Sequence, residues 1–276
     1  MKKKKVAASI LTIVVLIGII LIVNIPIVWL IMTSFKMRPD IISDHPVWIF
    51  RPTLEHYIRV LARKEVFPVD LYFSNSLIVT ISTTLLAILI TFPAAYSIAR
   101  FNTGGRNLSF WILSIRMLPP VVFLIPIGML FMSYHLLDTK FGLIIVYLTF
   151  NIPFATWTLK SFIEEIPREI EESALIDGAG RLGVIIRVTF PLCAPGLVAV
   201  SLICFIFSWN EFLYALVLTS LRAVTMTVGT ARFLTGYAIW WGDISAAATV
   251  AMIPVIILGF LSQKYLVRGL TLGAIK

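Results

Sequence analysis

The sequence predicts an all-α integral membrane protein with six transmembrane helices. Its 276 residues are 59% hydrophobic and only 13% charged, against about 45–50% and 25% in soluble domains. The apolar residues fall in runs long enough to cross a bilayer, and in lipid such a run satisfies its own backbone as a helix. Lysine and arginine gather at the ends of these runs. The net charge of +9 therefore reads as membrane topology facing lipid headgroups, not as a nucleic-acid footprint.

The elements follow in order. Lys2 to Lys5 precede an apolar run from Ala7 to Met32. That run is too long for a signal peptide and has no small-residue cleavage site, so it is expected to remain as the first span with the lysines in the cytoplasm. Asn24 and Pro26 interrupt it as a tolerated kink. Phe35 to Leu71 is a polar outer segment whose Trp48, Phe50, Tyr57 and Phe67 suit the membrane interface. Phe73 to Ala99 is the second span, and Arg100 to Asn107, with Gly104-Gly105, is a cytoplasmic turn. Leu108 to Met132 is the third span, followed by a short outer loop, Tyr134 to Lys140. Phe141 to Leu159 is the fourth, expected to be interrupted at Asn151 and Pro153. Gly196 to Thr219 is the fifth, Ser220 to Asp243 an outer segment, and Ile244 to Leu261 the sixth.

Both ends then lie in the cytoplasm. The cytoplasmic pieces hold more Lys and Arg than the outer ones, most of whose basic residues sit in one long loop where the positive-inside rule carries little weight. The chain divides into an N-terminal helix with its outer loop (1–72), a membrane-spanning core (73–262) and a cytoplasmic tail (263–276).

The longest polar interruption of the second half is Glu164 to Pro195. It must stand outside the hydrocarbon. Pro167 suits a helix start, where its missing N–H costs nothing. Glu169, Glu171 and Glu172 follow in the first turns, where the helix dipole favours negative charge. Asp177-Gly178 is a stop signal, with Gly supplying a left-handed cap. Ala174, Gly178, Ala179 and Gly180 are small, so another surface could approach the backbone closely. A second helical run, Leu182 to Val188, leads to Pro191 and Pro195, which should bend the entry to the next span. These features fit either a solvated amphipathic connector or a docking site.

Polar residues inside spans are costly and are therefore candidates for a transport path. Arg116 precedes Met117-Leu118-Pro119-Pro120, whose double proline should break the third span. Trp209, Asn210 and Glu211 lie together in the fifth span and Asn151 in the fourth. At 1.5 Å per residue Arg116 sits roughly 12 Å from the inner end of its span and Glu211 roughly 22 Å from the inner end of its own. Separate roles are expected for the two. Cys193 and Cys204 lie at or in one apolar stretch and read as packing residues, and no His or Cys spacing suits a metal. No nucleophile stands with a base, and no Gly-x-x-x-x-Gly-Lys phosphate loop is present, so the chain is not expected to be an enzyme or to hydrolyse ATP itself.

Glu172-Ser173-Ala174, Asp177-Gly178-Ala179, Val188, Phe190 and Pro191 resemble the cytoplasmic signature loop of ABC-importer permeases. The family pattern is Glu-Ala-Ala, three residues, Gly, nine residues, then Ile-x-Leu-Pro. Glu172, Ala174, Gly178 and Pro191 match in register, while Ser173, Val188 and Phe190 depart mildly. The tail Tyr265 to Lys276 and Phe207-Ser208-Trp209-Asn210-Glu211-Phe212 resemble carbohydrate-importer permeases of the maltose-transporter type, specifically the smaller of the two permease subunits.

The resemblance implies the type I importer fold in a cytoplasmic (inner) membrane. It implies a second homologous permease, an ATPase dimer that carries ATP and magnesium, and an extracytoplasmic sugar-binding protein touching the last outer loop. It makes the loop a coupling helix seated in the ATPase, with Glu172, Ser173, Ala174, Asp177, Gly178, Ala179 and Pro191 as coupling residues. The implied mechanism is alternating access, and no cofactor is expected in this chain. The rival reading is a carrier driven by an ion gradient, which needs no such loop and often shows paired inverted halves.

Overall fold

The computed structural model describes residues 2–62, 67–105, 107–234 and 239–272, with side chains from Leu11 to Gln263 within those ranges. The regular secondary structure of the described residues is helical, apart from an isolated bridge between Leu234 and Ile239. It divides into two compact units, residues 1–69 with 230–252 and residues 70–229 with 253–276.

The elements are α1 (Lys2–Ser34), α2 (Arg38–Ile41), α3 (Glu55–Ala62), α4 (Val69–Phe101), α5 (Leu108–Ser114), a 3₁₀ turn (Ile115–Met117), α6 (Val121–Ser133) and α7 (Lys140–Glu164). There follow α8 (Arg168–Ile176), α9 (Arg181–Val184), a π turn (Ile185–Thr189), α10 (Phe190–Leu192), α11 (Ala194–Trp209), α12 (Leu213–Leu218), α13 (Met226–Ala231) and α14 (Trp241–Leu272). Among the described residues four helices are long and apolar enough to cross a membrane by themselves: Leu11–Ser34, Val69–Phe101, Lys140–Glu164 and Trp241–Gln263. Two bent pairs are long and apolar enough together, Leu108–Met117 with Val121–Ser133 at 92° and Arg181–Leu192 with Ala194–Trp209 at 75°. Six spans result when each bent pair counts as one.

Two expectations need correcting. The fourth span is continuous: α7 runs through Asn151 and Pro153 unbroken. A single proline removes one ladder hydrogen bond, a loss that a packed helix absorbs. The third span breaks because its prolines are adjacent and Leu118 before them is extended (φ −74°, ψ 132°), as the residue before proline prefers. The fifth span is not continuous to Thr219. α11 stops at Trp209, and α12 begins only at Leu213. The tail residues 273–276 lie outside the described residues.

In the first unit His56 of α3 is the centre. Its Nδ1 lies 2.6 Å from Asp243 Oδ1 and its Nε2 lies 2.9 Å from the Lys36 carbonyl oxygen. Arg59 Nη1 donates to the other Asp243 oxygen at 3.3 Å. Gly242 is required beside the ring, because a Cβ there would stand 2.2 Å from His56 Cε1. Lys36 is buried with its ammonium 3.7 Å from the centre of the Trp29 ring, a cation–π contact that offsets part of its desolvation.

A ring with an acceptor at each nitrogen is satisfied only as imidazolium. The Asp243 hydrogen bond raises the His56 pKa, burial opposes it and the Lys36 carbonyl adds to it, with a net rise. The stabilisation is therefore fully present below the ordinary histidine value of about 6.5 and is lost as pH rises through the raised folded value. The melting temperature of the purified protein is expected to fall across that rise. His56→Gln, which does not titrate, should flatten the dependence; an unchanged slope in the variant would assign it to another group.

The second unit is built on α4, α7 and α11. Phe92, Ala95, Tyr96 and Ala99 pack with Ala155, Leu159 and Ile163 and with Leu197, Val200 and Cys204 in one buried cluster. Gly196 lets α11 approach α7, since a Cβ there would stand 2.5 Å from the Phe162 ring. Both cysteines are buried and free.

Candidate functional site

The polar stretch folds as helix, corner, helix. α8 begins after Pro167, which caps it in extended conformation (ψ 132°). It ends at Asp177, and Gly178 takes φ +89°. The Gly178 amide donates to Leu175 O at 3.1 Å and the Ala179 amide to Ala174 O at 3.0 Å. This is a complete Schellman cap, for which a residue without a Cβ is the natural choice. No side chain crowds Gly178, so backbone conformation alone requires glycine there. Beyond the corner α9, the π turn and α10 lead to Cys193, where the chain bends into α11.

The predicted coupling residues lie on α8 and this corner, except Pro191, which lies beyond it in α10. Glu172, Ser173, Asp177, Gly178 and Pro191 are exposed, and Ala174 and Ala179 are half-buried. Apolar side chains stand in the open beside them: Ile176 is 86% exposed and Leu182 68%. Ile176 stands outside every helix long and apolar enough to cross a membrane, whereas Leu182 belongs to the bent pair Arg181–Leu192 with Ala194–Trp209.

Glu171, grouped with the acidic cluster by sequence, behaves otherwise. It is only 6% exposed. Its carboxylate accepts from Arg100 Nε at 3.0 and 3.1 Å and from Arg100 Nη2 at 3.0 Å. Tyr96 OH donates to it at 3.2 Å and Thr189 Oγ1 at 2.9 Å. Arg100 Nη2 also donates to the Ile166 carbonyl at 2.9 Å. No sequence signal separates Glu171 from Glu172, because the partner Arg100 lies 71 residues away.

The predicted path residues disperse. The break after Arg116 opens a cavity of about 450 Å³, lined by Arg116, Phe123, Thr149, Phe150, Phe207 and Glu211 among others. The Arg116 guanidinium lies 4.1 Å from the Phe207 ring centre and 5.3 Å from that of Phe154. Among the described residues it makes no ion pair, so Arg116 and Glu211 share the cavity without bridging. Glu211 is an N-terminal cap, its two oxygens accepting the amides of Tyr214 at 2.8 Å and Ala215 at 3.1 Å. The remaining three lie off the cavity lining. Asn151 is buried and donates to Ser208 Oγ and Tyr147 O, both at 2.9 Å. Trp209 is buried and stacks on Phe205 at 5.7 Å. Asn210 is exposed and donates back to Ile206 O.

A latch missed by sequence joins the loop after α6 to the loop after α12. Asp138 accepts the consecutive amides of Ser220, Leu221, Arg222 and Ala223 at 2.9 to 3.2 Å. Burial works against this charge, but the four amides outweigh it and hold the carboxyl at about 2. A backbone nest of this kind carries no side-chain signature, so no motif could have pointed to it.

With this geometry in view, the comparisons with known proteins are direct. Residues 87–272 match the family described as binding-protein-dependent transport system inner membrane component. The sulfoquinovosyl glycerol transport system permease protein of Agrobacterium fabrum is 36% identical over 262 residues, covering 93% of this chain and 91% of its own. The trehalose/maltose transport system permease protein of Thermococcus litoralis is 36% identical over 258 residues, covering 91% of each chain. Among solved structures, a bacterial ABC transporter involved in the import of the acidic polysaccharide alginate has a chain with a TM-score of 0.72 and 22% identity. The match covers 94% of this chain and 96% of that one, and it shows a shared fold.

Proposed function

The chain belongs to the inner membrane components of binding-protein-dependent transport systems, and on that footing we propose that it is the smaller permease of a carbohydrate importer. Its substrate is a sugar, an oligosaccharide or a polyol, in keeping with the sulfoquinovosyl glycerol and trehalose/maltose systems of its relatives. It pairs with a second homologous permease, and an ATPase dimer beneath them holds ATP and magnesium. An extracytoplasmic binding protein delivers the substrate to the outer loops, and both termini of this chain lie in the cytoplasm.

The observation that carries the coupling reading is the exposed α8 corner. Its carboxylates Glu172 and Asp177 and its apolar tip Ile176 are presented outside the spans, exposed among the described residues. Glu172 pairs with a basic residue of the ATPase, the small residues Ala174, Gly178 and Ala179 admit its backbone, and Pro191 directs the chain back to α11. When ATP closes the ATPase dimer, α8 is carried with it and the permease pair opens outward. Hydrolysis resets it inward. In this cycle the Arg116 cavity is part of the path, its aromatic walls suiting the apolar faces of a sugar ring.

The test is purification of the intact assembly from its native membrane, followed by uptake in proteoliposomes. The expected result is a complex of two permeases, an ATPase and a binding protein that takes up carbohydrate only with ATP. A chain that purifies alone and transports on a proton or sodium gradient would overturn the proposal.

A further inference from the structure

We infer that the buried Arg100–Glu171 pair is the joint through which movement of α8 reaches the spans, so that Glu171 is a positioning residue for transport. The inference rests on the coupling role proposed for α8. It separates two adjacent carboxylates by task, Glu172 facing outward to a partner and Glu171 facing inward to the chain's own core.

Among the described residues of α8 only Glu171 is buried. Its apolar residues give it little grip: Ile170, Leu175 and Ile176 are all exposed. Apolar contacts can slide, because they are not directional. A forked guanidinium–carboxylate contact cannot slide without losing both hydrogen bonds at once. α8 is therefore attached by a stiff, oriented link where most helices have a greasy one. The link also joins matching helix ends. Arg100 sits in the last turn of α4 and Glu171 in the first turn of α8, where the two dipoles favour these charges.

The same carboxylate gathers the neighbouring segments. Thr189 brings in the π turn that leads to α11, and Arg100 reaches the Ile166 carbonyl just past α7. Four residues of α4 on the Arg100 side, Phe92, Ala95, Tyr96 and Ala99, pack into the cluster shared with α7 and α11. Those helices contribute Thr149, Phe150 and Phe207 to the cavity wall. A displacement of α8 is thus passed by the ion pair to α4 and by close packing to the cavity.

The experiment compares Glu171→Gln, Thr189→Val and Gly178→Asp with the unmodified chain. Each is reconstituted as the full assembly and assayed for uptake, ATP hydrolysis and retention of the ATPase. Ile127→Cys at the cavity reports whether alkylation still changes when ATP is added. For Glu171→Gln the expected result is hydrolysis within about twofold of the unmodified chain and uptake reduced at least about tenfold, with the ATPase bound and alkylation no longer responsive to ATP. Thr189→Val, which keeps the ion pair, should lose only a few-fold of uptake.

Normal uptake by Glu171→Gln overturns the inference. Loss of the bound ATPase overturns it as well, since Glu171 would then be a docking residue. A parallel fall in uptake, hydrolysis and melting temperature overturns it in favour of a purely structural pair. If Gly178→Asp uncouples while Glu171→Gln does not, the joint alone fails. If Gly178→Asp also takes up substrate normally, the coupling role of α8 fails with it.

Discussion

Replacing Gly178 with aspartate is expected to abolish uptake while the chain remains in the membrane and its ATPase keeps hydrolysing. The residue stands at φ +89° in the cap that ends α8. A side chain at positive φ costs about 1–2 kcal/mol, and aspartate is among the residues that tolerate it best. The chain itself leaves room, since a Cβ at Gly178 meets no atom within 4 Å. The fold should therefore survive. The new carboxylate would instead project where a partner's backbone must approach and where Asp177 is already exposed. Gly178→Asn, uncharged and equally tolerant of positive φ, should give an intermediate loss. Uptake assays on both variants, with membrane abundance as control, decide the matter. Near-normal uptake by the aspartate variant would remove the corner from the coupling mechanism.

The second large effect is expected at Arg116. Its guanidinium lines the cavity against Phe207 and makes no ion pair among the described residues. A hydrogen bond to a charged donor contributes about 1.5–3 kcal/mol, and each 1.4 kcal/mol is about tenfold. Arg116→Ala should thus lower uptake by about ten- to a hundredfold. Hydrolysis stimulated by the binding protein should continue, because the α8 corner is untouched. Arg116→Lys should recover little, for lysine keeps the charge but not the planar fork. Loss of melting temperature together with uptake would make Arg116 a structural cation that stabilises the break at Pro119-Pro120. Unchanged uptake would place the path elsewhere.

Much of the fold was legible because lipid leaves few choices. An apolar run of membrane length must close its own hydrogen bonds, so runs could be read as helices and charges as their boundaries. The break at Pro119-Pro120 was legible because proline cannot donate to the helical ladder, and the left-handed Gly178 because Asp-Gly is a helix-stop signal. Single prolines misled: Pro153 sits in an unbroken α7, because packing around it decides whether one lost bond matters. The reading of Trp209 to Phe212 as continuous span failed differently. Glu211 looks like an embedded charge until α12 is seen to begin at Leu213 with Glu211 capping it.

The coupling corner shows where the division lies. By itself the sequence determined a helix, a glycine stop and a second helix, because these follow from local backbone chemistry. Only the tertiary structure decided which face of that helix turns inward. Glu171 and Glu172 are chemically identical neighbours about 100° apart around a helix. Their fates differ because Arg100, Tyr96 and Thr189 converge on one and not the other. In the same way Asp138 finds its backbone amides, and His56 its carboxylate Asp243, in segments more than eighty residues away. Long-range packing sets such contacts, and no spacing along the chain records them.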